Sequence, residues 1–311
     1  MLQQTRVAQG LPYYQKFLEA FPTVHDLANA PEEQVLKLWQ GLGYYSRARN
    51  LHTTAKMVVS DFDGKFPNTY VGLKSLKGVG DYTASAIASF CFDIPEPVVD
   101  GNVYRVLARY FGVDLPINET QGAKYFKKLA REVMDTKQIG DYNQGIMEFG
   151  AVQCAPKNPN CMFCPLSESC VALQKNLVSN LPVKLNKTKI KNRYFNYLVF
   201  LDDSNQTLLE QRKGKGIWQN LYQFPLIESE GEWSEAQLEQ KMGETNGYPK
   251  MQSVTLYNME PIVHKLSHQH LYTKFWLVHP LTKLDDGIPW QRITDYPVPV
   301  LIADFIRTFK I

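Results

Sequence analysis

Apolar residues recur at three- and four-residue spacing through Leu27 to Trp39, Val103 to Tyr110 and Ala123 to Met134, the repeat of helices that bury one face. Glycine and proline punctuate the stretches between them, and from residue 12 to about 176 strand-like alternation is scarce. The texture breaks at Asn180 to Arg193, which is basic, contains Pro182 and follows neither period. Residues 177–193 therefore read as an interdomain linker. Beyond it, Tyr194 to Leu201, Thr207 to Gln211 and Tyr272 to Val278 are strand candidates, and Ser234 to Met242 and Val300 to Phe309 look helical. The pattern predicts a mainly α domain over 1–176 and a separate α+β domain over 194–311.

Composition narrows this picture only a little. With 44% hydrophobic and 21% charged residues, the 311-residue chain has the make-up of a globular protein. No apolar run approaches the ~18 residues of a membrane helix and no signal segment opens the chain, so a cytoplasmic protein is expected, and a monomer is the expected state. Thirty-four basic against 31 acidic residues leave a net charge of +3, compatible with a nucleic-acid partner but not evidence of one. Five cysteines change more. Cys91 stands alone in an apolar stretch and reads as a buried small hydrophobe. The other four crowd into residues 154–170, and in a reducing compartment such a cluster holds a metal more readily than disulfides.

Three constellations carry chemistry. The first is Cys154-x6-Cys161-x2-Cys164-x5-Cys170, four soft ligands that can close round zinc or an iron–sulfur cluster. A zinc knuckle usually pairs two Cys-x2-Cys hooks, and this segment has one. The second is Leu76-Lys-Gly-Val-Gly80, followed by an Ala-rich helical stretch; Gly78, Val79 and Gly80 could bring backbone amides close to a phosphate. Taken alone, a packing turn explains them equally well. The third is Pro97-Val-Val-Asp100-Gly-Asn102, where Asp100 sits at a helix start as either a plain N-cap or a working carboxylate.

The cysteine spacing resembles the cluster loop of the endonuclease III and MutY repair family, and the order of hairpin, aspartate and cysteine loop over residues 76–170 resembles the helix–hairpin–helix glycosylases. Met1-Leu-Gln-Gln-Thr-Arg6, the run from Trp39 to His52 and Tyr142-Asn-Gln144 resemble the adenine-removing, MutY-type branch. The resemblance implies a [4Fe–4S] cluster on Cys154, Cys161, Cys164 and Cys170, with zinc as the alternative. It implies a catalytic Asp100 flanked by Tyr82 and Asn102, and Leu2, Asn143 and Gln144 against a flipped adenine. DNA contacts would come from Gln4, Thr5, Arg6, Leu42, Tyr44, Gly78, Val79 and Gly80, with Gln4 and Tyr44 filling the gap the base leaves. Independently, the aromatics of Tyr44-Tyr-Ser-Arg-Ala-Arg49 suit a stack wedge, and Arg47 and Arg49 suit phosphates.

Relatives that also cut the strand carry a lysine where this chain has Tyr82. Tyrosine cannot form a Schiff base, so a monofunctional hydrolase is expected. The partner expected is duplex DNA with adenine opposite 8-oxoguanine or guanine. The target base must leave the stack, receive a proton, and depart from a sugar whose positive charge a carboxylate stabilises. The family's acid is a glutamate two residues before the Met-Leu-Gln-Gln-Thr segment, upstream of Met1. A start codon placed too far downstream, or a truncated product impaired in catalysis, is therefore expected.

In the second domain, Arg212 to Pro225 resembles the opening of the Nudix-like domain that MutY proteins append. Residues 226–247 lack the paired glutamates of a working Nudix helix, so pyrophosphate hydrolysis is not expected. Ser267, His268 and Gln269 are the candidate lesion-reading loop, with hydroxyl, imidazole and amide groups suited to a damaged base edge. A minor structural loop or an adventitious metal site fits this histidine-rich turn equally well. Two other functions compete: an endonuclease III-type glycosylase, and a non-catalytic iron–sulfur DNA-binding protein.

Overall fold

A computed structural model describes residues 1–3, 5–185, 189–245 and 247–311. The chain forms two compact units, Met57–Lys187 and the combination of Met1–Lys56 with Thr188–Ile311. Expected site residue Gln4 lies outside the described residues.

The amino-terminal helices are α1 (Val7–Ala20), α2 (Val24–Asn29), α3 (Glu32–Leu38) and α4 (Ser46–Asp61). The periodic run from Leu27 to Trp39 is thus two helices rather than one. Pro31 has no amide to donate, Ala30 before it is extended, and a Thr23–Asp26 capping box fixes the start of α2. Phe17, Leu36, Trp39 and Tyr45 from this segment enter one hydrophobic core with Phe195, Trp218, Phe224 and Phe275 from beyond residue 188.

That later portion contains β1 (Lys191–Phe200), β2 (Gln206–Thr207), β3 (Glu210–Gln211), β4 (Tyr222–Gln223), β5 (Leu226–Ser229), β6 (Met251–Leu256), β7 (Ile262–Leu266), β8 (Gln269–Pro280) and β9 (Ile288–Pro289). Its main sheet runs β5-β1-β8-β6, with β7 also paired to β8. β1 and β8 lie parallel, Phe195 against Thr273 and Tyr197 against Phe275. Phe195 to Phe200 are buried on both faces, which explains a near-continuous apolar run instead of alternation. The single strand expected over Thr207 to Gln211 is two short ones, because β2 pairs β9 while β3 pairs β4.

In the other unit, α7 (Gly101–Phe111), α8 (Thr120–Val133), α9 (Ile139–Val152) and α10 (Val171–Gln174) enclose a core of Val103, Leu107, Phe126, Ala130, Ala172 and Leu181, while α5 (Tyr70–Ser75) and α6 (Asp81–Phe92) pack through Leu73, Ala84 and Ala88. Helices α11 (Glu235–Glu244) and α12 (Val300–Thr308) belong to the unit that combines Met1–Lys56 with Thr188–Ile311. Gly150 lets α9 meet the start of α7: a Cβ there would stand 2.8 Å from the Asn102 Cβ and carbonyl oxygen. The basic stretch after residue 180 is anchored where it begins, since Leu181 is buried and the Val183 carbonyl accepts from the Ile117 amide at 3.0 Å. Cys91 is exposed, not buried as its apolar neighbours suggested; the core-facing positions of α6 are Ala84, Ser85, Ala88 and Ser89.

Candidate active site

Asp100 caps α7, and the sequence explains how it is held. Its Oδ1 accepts from the amides of Asn102 and Val103, both at 2.8 Å, and Oδ2 accepts from Asn102 Nδ2 at 2.9 Å. A carboxylate at a helix start meets the orphan amides of the first turn, so the group is locked in place. Asn102 is held in turn: its Oδ1 accepts from Arg105 Nη2 at 2.9 Å. The same guanidinium donates to the Cys154 carbonyl at 2.7 Å and to the Gly150 carbonyl. One turn later, Arg109 donates to Cys154 Sγ at 3.5 Å, the Ala155 carbonyl at 2.8 Å and the Leu181 carbonyl at 3.0 Å. Sequence reasoning missed both arginines. Their signal was two long cations four residues apart on an otherwise apolar helix, which need internal acceptors if buried.

Tyr82, in the first turn of α6, is 42% exposed and turns its hydroxyl toward Met147 Sδ at 3.9 Å. Partial burial, then the nearby charge of Asp100, raises its phenol above the ordinary range. Asn143 is different from expectation. It is fully buried, its Oδ1 accepts from the Val98 amide and its Nδ2 donates to the Glu96 carbonyl, each at 3.0 Å. In this conformation it braces the segment leading to Asp100 and has no free edge for a base. Gln144 is exposed and lines a cavity of about 410 Å³ with Ser89, Phe90 and Asp141.

The hairpin between α5 and α6 is tight. The Val79 amide donates to the Leu76 carbonyl at 3.2 Å, and Gly78 takes φ 76°, a left-handed conformation that favours glycine. Gly80 caps α6 without a side chain, leaving backbone amides at an exposed helix start. Lys127 of α8, another residue the sequence reading missed, ties this hairpin to the approach of Asp100. It donates to Ser85 Oγ and the Pro97 carbonyl, both at 2.7 Å, and pairs with Asp81 at 3.1 Å.

The four clustered cysteines are free thiols, and among the described residues no three His, Cys, Asp or Glu side chains form a group that could hold a metal ion. They are nonetheless mutually close. Burial raises the Cys161 thiol, and the charges of Cys154, Cys164 and Cys170 add to it. Four neighbouring thiols that repel as thiolates have the donor chemistry of a soft, positively charged centre.

The other unit holds the remaining expected residues. Leu2 is exposed, and Arg6 stands exposed at the start of α1. Leu42, expected on DNA, is buried in the core instead. Tyr44 is 53% exposed with φ 47°, and its hydroxyl lies 3.1 Å from Ser267 Oγ. Ser267 and His268 are the two-residue turn between β7 and β8, both exposed. Gln269 already belongs to β8, and Arg193 holds its Oε1 at 3.0 Å. Arg47 is committed to five backbone and hydroxyl acceptors, one of them Thr5 Oγ1 at 3.0 Å, and so does not offer itself to phosphate, whereas half-buried Arg49 donates to the Gln219 carbonyl at 2.9 Å.

Comparison with known proteins assigns this arrangement. Residues 1–132 match the HhH-GPD superfamily base excision DNA repair protein, and residues 196–308 match a NUDIX domain. Among solved structures, a thermostable thymine-DNA glycosylase covers 56% of this chain and 80% of its own, with TM-score 0.52 and 30% identity. A trapped endonuclease III–DNA covalent intermediate shares the fold at TM-score 0.50 and 24% identity. The helical portion is that of a base excision DNA repair glycosylase. The adenine DNA glycosylase of Buchnera aphidicola subsp. Baizongia pistaciae is 34% identical over 282 residues, 89% of this chain and 76% of that protein. That of Homo sapiens is 44% identical over 176 residues, 56% of this chain and 32% of the relative. The chain belongs to the adenine DNA glycosylases. It is a DNA N-glycosylase of base excision repair, an enzyme rather than a passive scaffold, and DNA is its substrate. Its family binds iron–sulfur clusters. Among the described residues, no helix is long and apolar enough to cross a membrane.

Proposed function

We propose that the enzyme extrudes adenine from a duplex where it stands opposite 8-oxoguanine or guanine, and hydrolyses the glycosidic bond without cutting the strand. The observation that carries this reading is Asp100: a carboxylate fixed by three N–H donors, with Tyr82 rather than a lysine beside it. As the bond to adenine breaks, the sugar gains oxocarbenium character, and a fixed anion stabilises it without reorganising. Asn102 orients that carboxylate, and Tyr82 stands near it. Water completes the reaction: its hydroxyl joins the sugar and its proton balances the one that leaves with adenine, since Tyr82 offers no amine for a covalent intermediate.

Gly78, Val79 and Gly80 present amides to a phosphate and set register without reading sequence. Leu2, Gln4, Thr5, Arg6 and Tyr44 contact the opened duplex, with Tyr44 as the stack wedge, and Gln144 meets the flipped base. Ser267 and His268 read the lesion opposite, with Gln269 supporting their turn. Cys154, Cys161, Cys164 and Cys170 would hold a [4Fe–4S] cluster, which would supply iron–thiolate bonds that tie residues 154–170 together. In functional terms 1–176 is the glycosylase portion, 177–193 the connector and 194–311 the lesion-recognition portion of a cytoplasmic monomer.

The test is single-turnover adenine release from an adenine:8-oxoguanine duplex, with Asp100→Asn as comparison. Asparagine still caps α7, so folding and DNA affinity should persist while release falls about 10²–10³-fold. An unchanged rate removes Asp100 from the chemistry. Borohydride trapping in the same reaction should yield no protein–DNA adduct, and an adduct would overturn the monofunctional reading.

A further inference from the structure

We infer that Arg47 is a positioning residue for adenine extrusion, a clamp that holds the strand-opening wedge Tyr44 together with Met1, Gln3 and Thr5. The inference rests on the reading of Tyr44 as a wedge. It replaces the expectation that Arg47 holds a phosphate.

The guanidinium reaches two segments at once. Its Nη1 donates to the carbonyls of Met1 at 2.6 Å and Gln3 at 2.5 Å and to Thr5 Oγ1 at 3.0 Å. Its Nη2 donates to the carbonyls of Leu42 at 3.4 Å and Gly43 at 3.2 Å. The Arg47 carbon also lies 5.3 Å from the Trp39 ring centre and 5.5 Å from that of Tyr44. Among the described residues no carboxylate pairs with it, and its Nε is buried without a partner. A cation committed to carbonyl dipoles and ring faces has no free donor edge for DNA.

What it holds is a conformation the chain would not keep unaided. Gly41 (φ 98°), Gly43 (φ 75°) and Tyr44 (φ 47°) all lie in the left-handed region, and for tyrosine that region is disfavoured unless its surroundings impose it. The Trp39 indole helps by donating to the Gly43 carbonyl at 3.0 Å, and Ser267 meets the Tyr44 hydroxyl. Only a planar fork donates to both segments at fixed angles; an ammonium keeps the charge but not the fork.

The experiment compares wild type, Arg47→Lys, Arg47→Gln and Tyr44→Ala on two duplexes carrying 2-aminopurine beside the target adenine. In one the adenine faces 8-oxoguanine, and in the other it faces an abasic site and is already loosely stacked. Arg47→Lys should lower the fluorescence rise on binding, and slow release from the paired duplex about ten- to hundredfold. The abasic-opposed duplex should be nearly spared, and the salt dependence of affinity unchanged. Wild-type behaviour of Arg47→Lys, with a salt slope reduced by about one in Arg47→Gln, would mean a phosphate contact and overturn the proposal. Equal losses on both duplexes with a lowered melting temperature would mean a merely structural arginine and also overturn it. If Tyr44→Ala opens the paired duplex normally, the wedge reading itself falls. If Tyr44→Ala fails to open it while Arg47→Lys succeeds, only the clamp falls.

Discussion

Asp100 and Tyr44 are held by opposite means. Each oxygen of Asp100 is satisfied from within three residues of its own chain position, by the amides of Asn102 and Val103 and the Asn102 side chain. Tyr44 depends on Arg47, on Trp39 through Gly43, and on Ser267, which is 223 positions away. A carboxylate that must oppose a charge developing in one place gains from a short, stiff mount, because misplacement is lost catalysis. A wedge and a reading turn must accept a duplex that differs in sequence and opening. They lie exposed on a two-residue turn and a glycine-flanked loop, whose shape is imposed by distant neighbours.

The comparison breaks first at Asp100. Asp100→Asn separates charge from mount, and its loss of rate without loss of fold is the largest effect expected anywhere in the chain. Gly150→Ala does the reverse, keeping the charge and disturbing the mount. The added Cβ would meet Asn102 Cβ and its carbonyl at 2.8 Å, so α7 must shift or tilt. Overpacking of this kind costs about 1–3 kcal/mol, visible as a lower urea midpoint. Release should fall about tenfold or more, because Asn102 moves with α7. A normal rate in a destabilised Gly150→Ala enzyme would show that the mount tolerates movement and that the contrast with Tyr44 is overdrawn.

The same contrast explains what could be read from the chain alone. The hairpin, Asp100 and the four cysteines are local spellings: glycines at a turn, an aspartate at a helix start, thiols within a short loop. The fold class followed from periodicity for the same reason, and the sequence misled where a local period was interrupted, as at Pro31 and between Thr207 and Glu210. Long-range closure left no such trace. Nothing around Leu42 says that its side chain joins Phe17 and Trp39 in a core, and nothing around Asn143 says that both ends of its amide are taken by the backbone of residues 96 and 98. Arg105, Arg109 and Lys127 matter through acceptors far along the chain. Only their improbability as buried cations could have marked them.

Ser267→Ala sharpens the other side of the comparison. The hydroxyl touches Tyr44 and stands exposed on its turn, so its removal leaves no buried group unsatisfied. Stability should change by less than about 0.5 kcal/mol. The loss belongs in discrimination: preference for 8-oxoguanine over guanine opposite the adenine should fall by an amount worth about 1 kcal/mol, roughly fivefold, in competition experiments. An unchanged preference would leave Ser267 as a support for Tyr44 alone.

The smallest effect expected tests whether the long-range mount around Tyr44 is itself titratable. His52, on α4, is fully buried, and its Nε2 has no partner. Burial first, then the charge of Lys56, holds its pKa below the usual histidine value. Glu32 and hydrogen bonds to the backbone of Ala28 and Ala30 oppose this without reversing it. The folded state therefore keeps this ring neutral at a pH where the unfolded chain already binds a proton. The sign follows: His52 costs nothing above about pH 7, and its contribution is lost as pH falls below the unfolded value of about 6.5. Urea midpoints measured from pH 7.5 to 5 should decline in the wild type, and decline less in His52→Gln. Parallel curves would show that α4 absorbs the proton without consequence, so that the wedge rests on Arg47 and Trp39 and not on the packing of α4 against the α2–α3 junction.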